Sequence, residues 1–448
     1  MPHHQLARTR DRLGNRPEIE DIRPAGFLLH DGVRHIILSA WACGTLGFAP
    51  RAIKAHSGER GRTGMAEAEQ ISVVDVAVVG GGPTGAIAAL AAADAGLRTA
   101  LVAPMPEHDP RTTALMMPAV QLLERLGVWS LVGAEAAPLA AIRIVDDTGH
   151  LPRAPEIAFD AGEIGLEAFG YNVPNNGLNA ALATRLKAAG VERVEAMARK
   201  VVPGVPARIE TAFETVVADL VVGADGFHSL VRAEMGFGTR RWSYEQSALV
   251  TMLAHTRPHN DTSVEFHTAG GPFTLVPLAG QRSSLVWVGR PDDTARRRGL
   301  ADAALAREIE RASHGVLGRI TIDGPRGTFP LEGMVAKHFG EANVVLVGEA
   351  GHRFPPIGAQ GLNLGLRDVA TLAELFASAA AHGGLRALAP VYDRRRRLDI
   401  GTRTVGVDLL NRSLLTGFAP VGALRALGVA AARNVGPLRR AMMRAGVG

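Results

Sequence analysis

Three glycines with a fixed spacing form the clearest chemical motif of the chain. Gly80, Gly82 and Gly85 follow the apolar run 72–79 and precede the Ala-rich segment 86–96. In a G-x-G-x-x-G pattern the first glycine permits a tight turn, the second lets a phosphate approach the backbone, and the third packs a helix on a strand. The positive end of that helix then faces the phosphates. The motif predicts a nucleotide-binding turn, and a tight structural turn is the alternative.

The surrounding pattern supplies the elements that such a turn needs. The β-branched run 72–79 is typical of a buried strand, the segment 86–96 of a helix ending at Gly96, and 97–104 of a second strand. This βαβ order predicts a parallel sheet that is buried on both faces. Further strands at 216–226 and 341–351 would bring three strand-end loops to one edge, where such sheets bind ligands.

One expected partner of the turn is absent. An acid usually follows the second strand, about 20 residues on, and binds a ribose, but here the chain has Ala103. Glu107 and Asp109 lie just beyond and could reach back; water and backbone could also hold the ribose. Arg111 precedes a predicted helix, and its planar guanidinium suits phosphate oxygens. A surface position without a ligand is the alternative for Arg111.

The length, charge and composition of the chain limit the classes of protein it can belong to. With 448 residues and 47% hydrophobic content, the chain is long enough for two domains. The formal net charge is +5, but aromatic residues make up 5% and no basic patch interleaves with them, which argues against nucleic acid as a partner. Cys43 is the only cysteine, so an internal disulfide and a cysteine-based zinc site are excluded and a reducing, cytoplasmic compartment is indicated. We predict no metal site.

Seven stretches, in order from about residue 73 to residue 448, resemble one enzyme family. They are GGGPTG, DPRTTAL with LLERLGVW, AFGYNVPNNGLNAAL, GADGFHSLVR, GPFTLVPL, GEAGHRFPPIGAQGLNLGLRD and YDRRRRLD with LLNRSLLTGF. The chain thereby resembles the FAD-dependent aromatic hydroxylases of ubiquinone biosynthesis, in the p-hydroxybenzoate hydroxylase class of flavoprotein monooxygenases. That class usually has Asp where this chain has Glu349, and Ala where it has Gly351, so the carboxylate contact would be shifted by one methylene.

The resemblance implies an α/β fold: a Rossmann-like FAD-binding domain with an inserted β-sheet substrate domain and a C-terminal helical tail. Residues 1–64 are expected to be a leader that is disordered or translated from an upstream start, and a flexible N-terminal arm is the alternative. The other expected segments are the first part of the FAD-binding domain at 70–236, which includes part of a substrate-side segment at 140–175, the β-rich substrate domain at 237–333, the second part of the FAD-binding domain at 334–392, and the tail at 393–448.

The resemblance also implies which residues contact FAD. Asp225 would serve both FAD and the docking nicotinamide cofactor, and Glu349 the ribitol. The other residues would hold the pyrophosphate and its neighbouring groups, at Gly80, Gly82, Pro83, Thr84, Gly85 and Arg111, and the isoalloxazine ring, at Pro356, Gly358, Gly361, Leu362 and Asn363. Glycines at 358 and 361 would let backbone approach a flat ring, and a helix opening at 362–363 would point its amides at the electron-rich pyrimidine edge.

The implied reaction adds a hydroxyl group to the ring of a polyprenyl phenol on the way to ubiquinone. NADH or NADPH would reduce FAD, and oxygen would form a flavin C4a-hydroperoxide that attacks the ring. The chain has one glycine fingerprint of this kind, so the nicotinamide cofactor is expected to visit transiently. No side-chain base is identified, and His352 is expected to be structural.

Two other functions stay open on the sequence: a hydroxylase of a small aromatic compound, and a non-catalytic accessory flavoprotein of the ubiquinone pathway. Expected partners are oxygen, the polyprenyl phenol and a ubiquinone-biosynthesis complex. The Arg-rich tail 405–448 is either a solvated helical cap on the FAD-binding domain or an amphipathic contact with partner enzymes or with an anionic membrane, as in a peripheral position at the inner membrane.

Overall fold

A computed structural model describes residues 70–149, 153–354, 360–415, 431 and 433–447. The leader predicted at 1–64 and two of the residues expected beside the isoalloxazine ring, Pro356 and Gly358, lie outside the described residues.

The strands of the described residues form three sheets. In chain order they are β1 (Gln70–Val79), β2 (Thr99–Val102), β3 (Thr112–Met116), β4 (Ala137–Pro138), β5 (Ala141–Asp147), β6 (Ile157–Asp160), β7 (Gly170–Pro174), β8 (Glu192–Val194), β9 (Lys200–Val202), β10 (Ala207–Glu210), β11 (Glu214–Gly223), β12 (Thr239–His255), β13 (Thr262–Thr268), β14 (Gly271–Leu278), β15 (Arg282–Gly289), β16 (Ile320–Ile322), β17 (Gly327–Ala336), β18 (Gly340–Glu341), β19 (Val344–Leu346) and β20 (His352–Arg353).

The helices of the described residues are, in chain order, α1 (Pro83–Asp94), α2 (Met117–Arg125), α3 (Trp129–Val132), α4 (Asn175–Ala188), α5 (Leu230–Glu234), α6 (Pro291–Arg298), α7 (Asp302–Ala312), α8 (Gln360–Ala377), α9 (Leu388–Leu415) and α10 (Gly436–Val447).

A mainly parallel sheet organises the FAD-binding part predicted from the sequence. Its strand order is β18-β19-β11-β1-β2-β8, and the strands from β19 to β8 run parallel. Val79 at the end of β1 is in register with Val102 of β2 and with Gly223 of β11, and Gly223 is in register with Leu346 of β19. The strand ends therefore meet at one edge, as the sequence predicted. This arrangement confirms the α/β Rossmann-like class.

Each face of this sheet carries its own apolar cluster. On one face α1, α4 and α8 pack with the strands, and Ile87, Leu182 and Leu372 are nearly or fully buried there. On the other face Ile209 and Val231 are fully buried. A fully buried aliphatic side chain contributes about 1.5–3 kcal/mol, so clusters of this size on both faces explain why the strands are apolar throughout rather than alternating.

A second, mostly antiparallel sheet has the order β20-β17-β12-β15-β14-β13-β5-β6. The sequence predicted short strands between 237 and 333, but β12 has 17 residues and bends at an irregularity between Ser243 and Ser247. The sequence interpretation also missed α6 and α7 in this region. Leu305 and Ile309 of α7 cover the sheet beside Trp287, at the i, i+4 spacing of an amphipathic helix.

Two C-terminal helices pack on different parts of the molecule. Helix α9 runs through residue 392 without a break, and the buried Tyr392 hydroxyl donates to the carbonyl oxygen of Leu346 at 2.8 Å. In α10, Met443 is buried against Phe169. Arg439 of the same helix pairs with Glu163 at 2.5 Å. No helix within the described ranges is long and apolar enough to cross a membrane.

Candidate functional site

The glycine turn between β1 and α1 is closed by its own backbone. Gly80 has φ +115°, and a Cβ at this position would lie 2.3 Å from the carbonyl oxygen of Ala224. A Cβ on Gly85 would lie 2.0 Å from the carbonyl oxygen of Gly80. Side chains are therefore excluded at both positions, and the strand-end loop after β11 packs directly on the turn. Gly82 differs, since it is exposed and a Cβ there would contact nothing within 4 Å.

The N-terminus of α1 is free of a side-chain cap. Gly82 is the N-cap residue and makes no side-chain hydrogen bond, and Pro83 occupies the first turn. The first backbone N–H groups of α1 therefore remain available to an anion. Thr84 faces inward: a Cβ on Gly365 of α8 would lie 2.9 Å from the Thr84 hydroxyl oxygen. The close approach of α1 to α8 depends on that glycine.

Arg111 is held at the same edge by Asp109. Its Nε and Nη2 atoms donate to the two carboxylate oxygens, both at 2.7 Å, and Asn175 donates to the same carboxylate at 2.8 Å. Partial burial opposes ionisation of Asp109, but these hydrogen bonds outweigh it and lower its pKa to about 2. Asp109 is therefore engaged with Arg111 and Asn175. This supports a role in orienting Arg111 rather than in reaching a ribose.

A cavity of 410 Å³ is lined by Gly81, which adjoins the position of the missing acid, since a Cβ on Gly81 would lie 2.8 Å from the Cβ of Ala103. Ala103 is buried and donates its amide to the carbonyl oxygen of Val194 at 3.0 Å, because β8 lies beside β2. Arg193 and Glu195, from the end of β8, line the cavity together with Gly81 of the glycine turn. Sequence reasoning missed Glu195 because strand order, rather than chain proximity, puts it next to Ala103.

Asp225 faces its own helix. Its carboxylate accepts from the Ser229 hydroxyl at 2.5 Å and from the Val231 amide at 3.0 Å, so it caps α5. The side chain thereby fixes the loop that packs on Gly80. This geometry supports a positioning role, whereas the resemblance implied direct contact with cofactors.

Glu349 lies in a short 3-10 turn after β19 and is exposed. Its carboxylate is 4.0 Å from Arg353. The hydrogen bonds that Arg111 donates to Asp109 raise the pKa of Arg111, and the Glu349 charge adds to that rise. Glu349 and Arg111 therefore face the same region, although 238 positions of chain numbering separate them.

Beneath this turn lies a buried network that the sequence interpretation did not find. Asp368 of α8 is fully buried and accepts from the Gly348 amide at 2.8 Å and from Arg396 Nε at 2.7 Å. His352 Nε2 lies 2.6 Å from the same carboxylate, and His352 is 2% exposed. The network joins the turn, α8 and α9. His352 thus has a structural partner, in line with the role expected for it.

The start of α8 is tied to β3. The Asn363 side chain accepts from the Met116 amide and donates to the Ala114 carbonyl oxygen, both at 2.8 Å. Gly361 is exposed, and a Cβ there would contact nothing within 4 Å, while Leu362 is half-buried. Backbone at 361–363 can therefore approach a flat ligand.

Comparison with known families shows which family the chain belongs to. A family model described as an FAD binding domain matches residues 73–405. The chain belongs to this FAD-binding domain family. The glycine turn, the uncapped helix and Arg111 fit the pyrophosphate of FAD, so the residues present suit the cofactor of the family.

Named relatives match most of the chain. The ubiquinone hydroxylase UbiL of Rhodospirillum rubrum is 35% identical over 401 residues, which is 86% of this chain and 92% of that protein. The 3-demethoxyubiquinol 3-hydroxylase of Escherichia coli is 30% identical over 84% of this chain and 98% of its own length. These matches confirm the family that the sequence stretches indicated.

Solved structures show the same fold. The p-nitrophenol 4-monooxygenase PnpA from Pseudomonas putida superposes with a TM-score of 0.67 at 19% identity, covering 84% of this chain and 98% of that chain. The brominase Bmp2 gives a TM-score of 0.66 at 17% identity, covering 84% of this chain and 94% of that one. The fold class of this FAD-binding protein is thereby confirmed.

Proposed function

We propose that the protein is an FAD-dependent monooxygenase that hydroxylates the aromatic ring of a polyprenyl phenol in ubiquinone biosynthesis, with oxygen and NADH or NADPH as co-substrates. The observation that carries FAD binding is the glycine turn, whose open Gly82 and uncapped α1 share one sheet edge with Arg111 and Glu349. The names and coverage of the two relatives support the substrate class. When bound, FAD supplies the transfer of one oxygen atom to the ring.

The pyrophosphate of FAD would lie at the N-terminus of α1. Backbone at Gly80, Gly82 and Gly85 would approach it, and the free amides near Pro83 and Thr84 would donate to its oxygens. Arg111 would add a guanidinium whose direction Asp109 already sets. Since the Arg111 side chain is 55% exposed, its contribution would come from directed hydrogen bonds more than from burial.

The adenosine half would enter the cavity beside Gly81. There Glu195 can accept from the ribose hydroxyls in place of the acid that is absent at Ala103, and Arg193 lies next to it. A hydrogen bond to a charged group is worth about 1.5–3 kcal/mol. The neighbouring strand would thus restore the affinity that an alanine after β2 removes.

The flavin end would lie against the start of α8. Backbone amides at Gly361, Leu362 and Asn363 would stabilise negative charge on the pyrimidine edge, while the Asn363 side chain remains engaged with β3. Pro356 and Gly358 would complete this floor, and Glu349 would bind the ribitol.

The aromatic ring of the substrate would lie against an apolar face of the second, mostly antiparallel sheet. Ala248, Val288 and Leu331 form a buried cluster there. Phe329, from the same strand as Leu331, lies 5.7 Å from the Arg111 guanidinium carbon. An apolar lining beside the cofactor excludes water, which protects a reactive oxygen species from decay.

Peripheral membrane contact would involve α10. Val435, Leu438 and Met442 are 47%, 43% and 47% exposed and recur at i, i+3 and i+7, next to the exposed Arg440 and Arg444. Such a helix surface suits an anionic bilayer interface. Flotation with anionic vesicles tests this: replacing Leu438 and Met442 by Ser is expected to reduce binding, and unchanged flotation would reject the contact.

The quinone content of a strain that lacks the protein tests the main proposal. Loss of ubiquinone, with accumulation of a prenylated phenol that lacks one hydroxyl group, is the expected result. Normal ubiquinone would reject this pathway and favour a small aromatic substrate. The purified protein is expected to show the absorption of oxidised flavin, and NADH or NADPH is expected to bleach it without oxygen. Flavin that neither cofactor bleaches would favour the accessory role.

A further inference from the structure

Phe227 lies between two arginine side chains on the flank of the FAD-binding edge. The guanidinium carbon of Arg241 is 4.9 Å from the centre of the Phe227 ring, and that of Arg353 is 4.6 Å from it. Contacts of this kind attract a cation to an aromatic face without using up its hydrogen-bond donors. The ring therefore restricts both guanidiniums while leaving N–H groups for an acceptor.

Strand register explains why the two arginines lie side by side. Arg241 of β12 and Arg353 of β20 are both paired with Met334 of β17, which runs between them. Paired residues share a face, and two strand spacings separate the outer strands by roughly 9–10 Å. The neighbouring Arg240 points to the opposite face, where it contacts Trp242 at 5.7 Å.

One of the two arginine charges beside this ring is not neutralised by an ion pair within the part of the chain that the structure describes. Arg241 is exposed and forms no ion pair with any other described residue. Arg353 lies 3.9 Å from Glu332 and 4.0 Å from Glu349, at the outer limit of an ion pair. Burial lowers the pKa of Arg232, and the charge of Arg241 lowers it further, while the charge of Asp225 raises it. An anion bound here would relieve this repulsion.

The surface formed by Arg241, Phe227 and Arg353 adjoins the FAD-binding edge but does not include it. Arg232 donates to the carbonyl oxygen of Phe227 at 2.6 Å and to that of Ala350, in the turn after β19, at 2.7 Å. The loop that carries Phe227 also contains Ala224, which packs on Gly80. The chain has one G-x-G-x-x-G pattern, so a second dinucleotide would need other donors for its phosphates.

We propose that Arg241, Phe227 and Arg353 bind the diphosphate of the nicotinamide cofactor when it docks beside FAD. Two guanidiniums with fixed spacing offer the planar donor pattern that phosphate oxygens prefer. This inference rests on the proposed use of NADH or NADPH. In this inference the two arginines contact the docking cofactor. Asp225 positions the loop of Phe227, because its carboxylate accepts hydrogen bonds from Ser229 and from the first turn of α5.

The test compares two arginine variants of the FAD-loaded protein. Calorimetric titration with NADP⁺ and with inorganic pyrophosphate gives dissociation constants, and stopped-flow bleaching of the flavin by NADPH gives the kinetic dependence. Arg241→Met is expected to weaken both ligands by about tenfold to a hundredfold. Arg240→Met, one residue away on the opposite face, is expected to change them by less than about twofold, and Arg241→Lys to give an intermediate loss because charge is kept but the planar fork is not.

Affinity for FAD, measured by flavin fluorescence, is expected to be the same in wild type and in all three variants. Equal NADP⁺ constants for Arg241→Met and Arg240→Met would overturn the inference. Loss of pyrophosphate binding with retained NADP⁺ binding would also overturn it, because the surface would then serve another diphosphate. Wild-type protein that binds FAD and is bleached by dithionite but by neither nicotinamide cofactor would contradict the proposed function itself.

Discussion

Two carboxylates lie near the proposed FAD site, and they differ in what surrounds them. Asp109 lies on the outer side, where its side chain is 20% exposed and its partner Arg111 is 55% exposed. Asp368 lies beneath the edge and is fully buried with Arg396, which is 4% exposed. Both form short hydrogen bonds to an arginine. Burial decides what each does: the first orients a side chain, and the second holds three elements together.

The physical difference lies in the cost of breaking each pair. An exposed pair gains little, typically about 0–1 kcal/mol, because water solvates either partner when the other is lost. A buried charge that loses its partner finds no water, and the loss is about 3–5 kcal/mol. Asp368 also accepts the amide of Gly348, so its loss would leave backbone unsatisfied too.

The largest effect is expected at the buried carboxylate. Asp368→Asn removes the fully buried carboxylate that pairs with Arg396, which keeps its partly exposed pair with Asp399. The variant is expected to lower the free energy of unfolding by about 3–5 kcal/mol, measured by urea denaturation. Asp368→Leu combined with Arg396→Met removes both charges and is expected to lose less than the sum of the two single variants. If Asp368→Asn lowered the free energy of unfolding by less than about 1 kcal/mol, the buried carboxylate would contribute no more to stability than the exposed one.

A smaller effect is expected at Glu195, on the outer side. Glu195→Gln is expected to weaken FAD binding by about tenfold, because a charged acceptor for the ribose is lost, with little change in unfolding free energy. Glu192→Gln is the matched control, since Glu192 lies on the same strand and accepts from Ser72 instead. Equal FAD constants for the two variants would show that Ala103 has no replacement acid.

The exposed carboxylate is expected to matter less for stability than for the cofactor. Asp109→Asn is expected to lower the free energy of unfolding by at most about 1 kcal/mol. It also frees Arg111 to move, so FAD affinity is expected to fall several-fold, as fluorescence titration would show. A stability loss as large as that of Asp368→Asn would mean that Asp109 is structural as well.

The smallest expected effect is the dependence of the stabilisation by Asp109 on acidic pH. The folded-state pKa of Asp109 is lowered to about 2, so its stabilisation is present above the unfolded pKa of about 3.9 and is lost as pH falls through about 2. The difference in unfolding free energy between wild type and Asp109→Asn is therefore expected to be constant from pH 7 to about 5. A difference that already shrinks in this range would assign the loss to another group.

The same contrast separates what could be predicted from the sequence from what could not. The glycine turn, α1 and the strands β1, β2 and β11 follow from local periodicity and from residues that lie together in the chain. The partners of Asp368 come from positions 348, 352 and 396, and no local pattern records such contacts. Glu195 needed the strand order, and the orientation of Asp225 needed the helix that it caps.

The buried hydroxyl of Tyr392 gives this protein an intrinsic spectroscopic probe of unfolding. The chain has three tyrosines, and Tyr392 is the fully buried one among the described residues. Burial raises its pKa well above the usual value, with Asp368 adding to the rise. Its phenol therefore stays protonated in the folded state at pH values where an unfolded tyrosine ionises, above about 10. Tyrosinate absorbance that appears late in an alkaline titration would report when α9 leaves the sheet, without any added label.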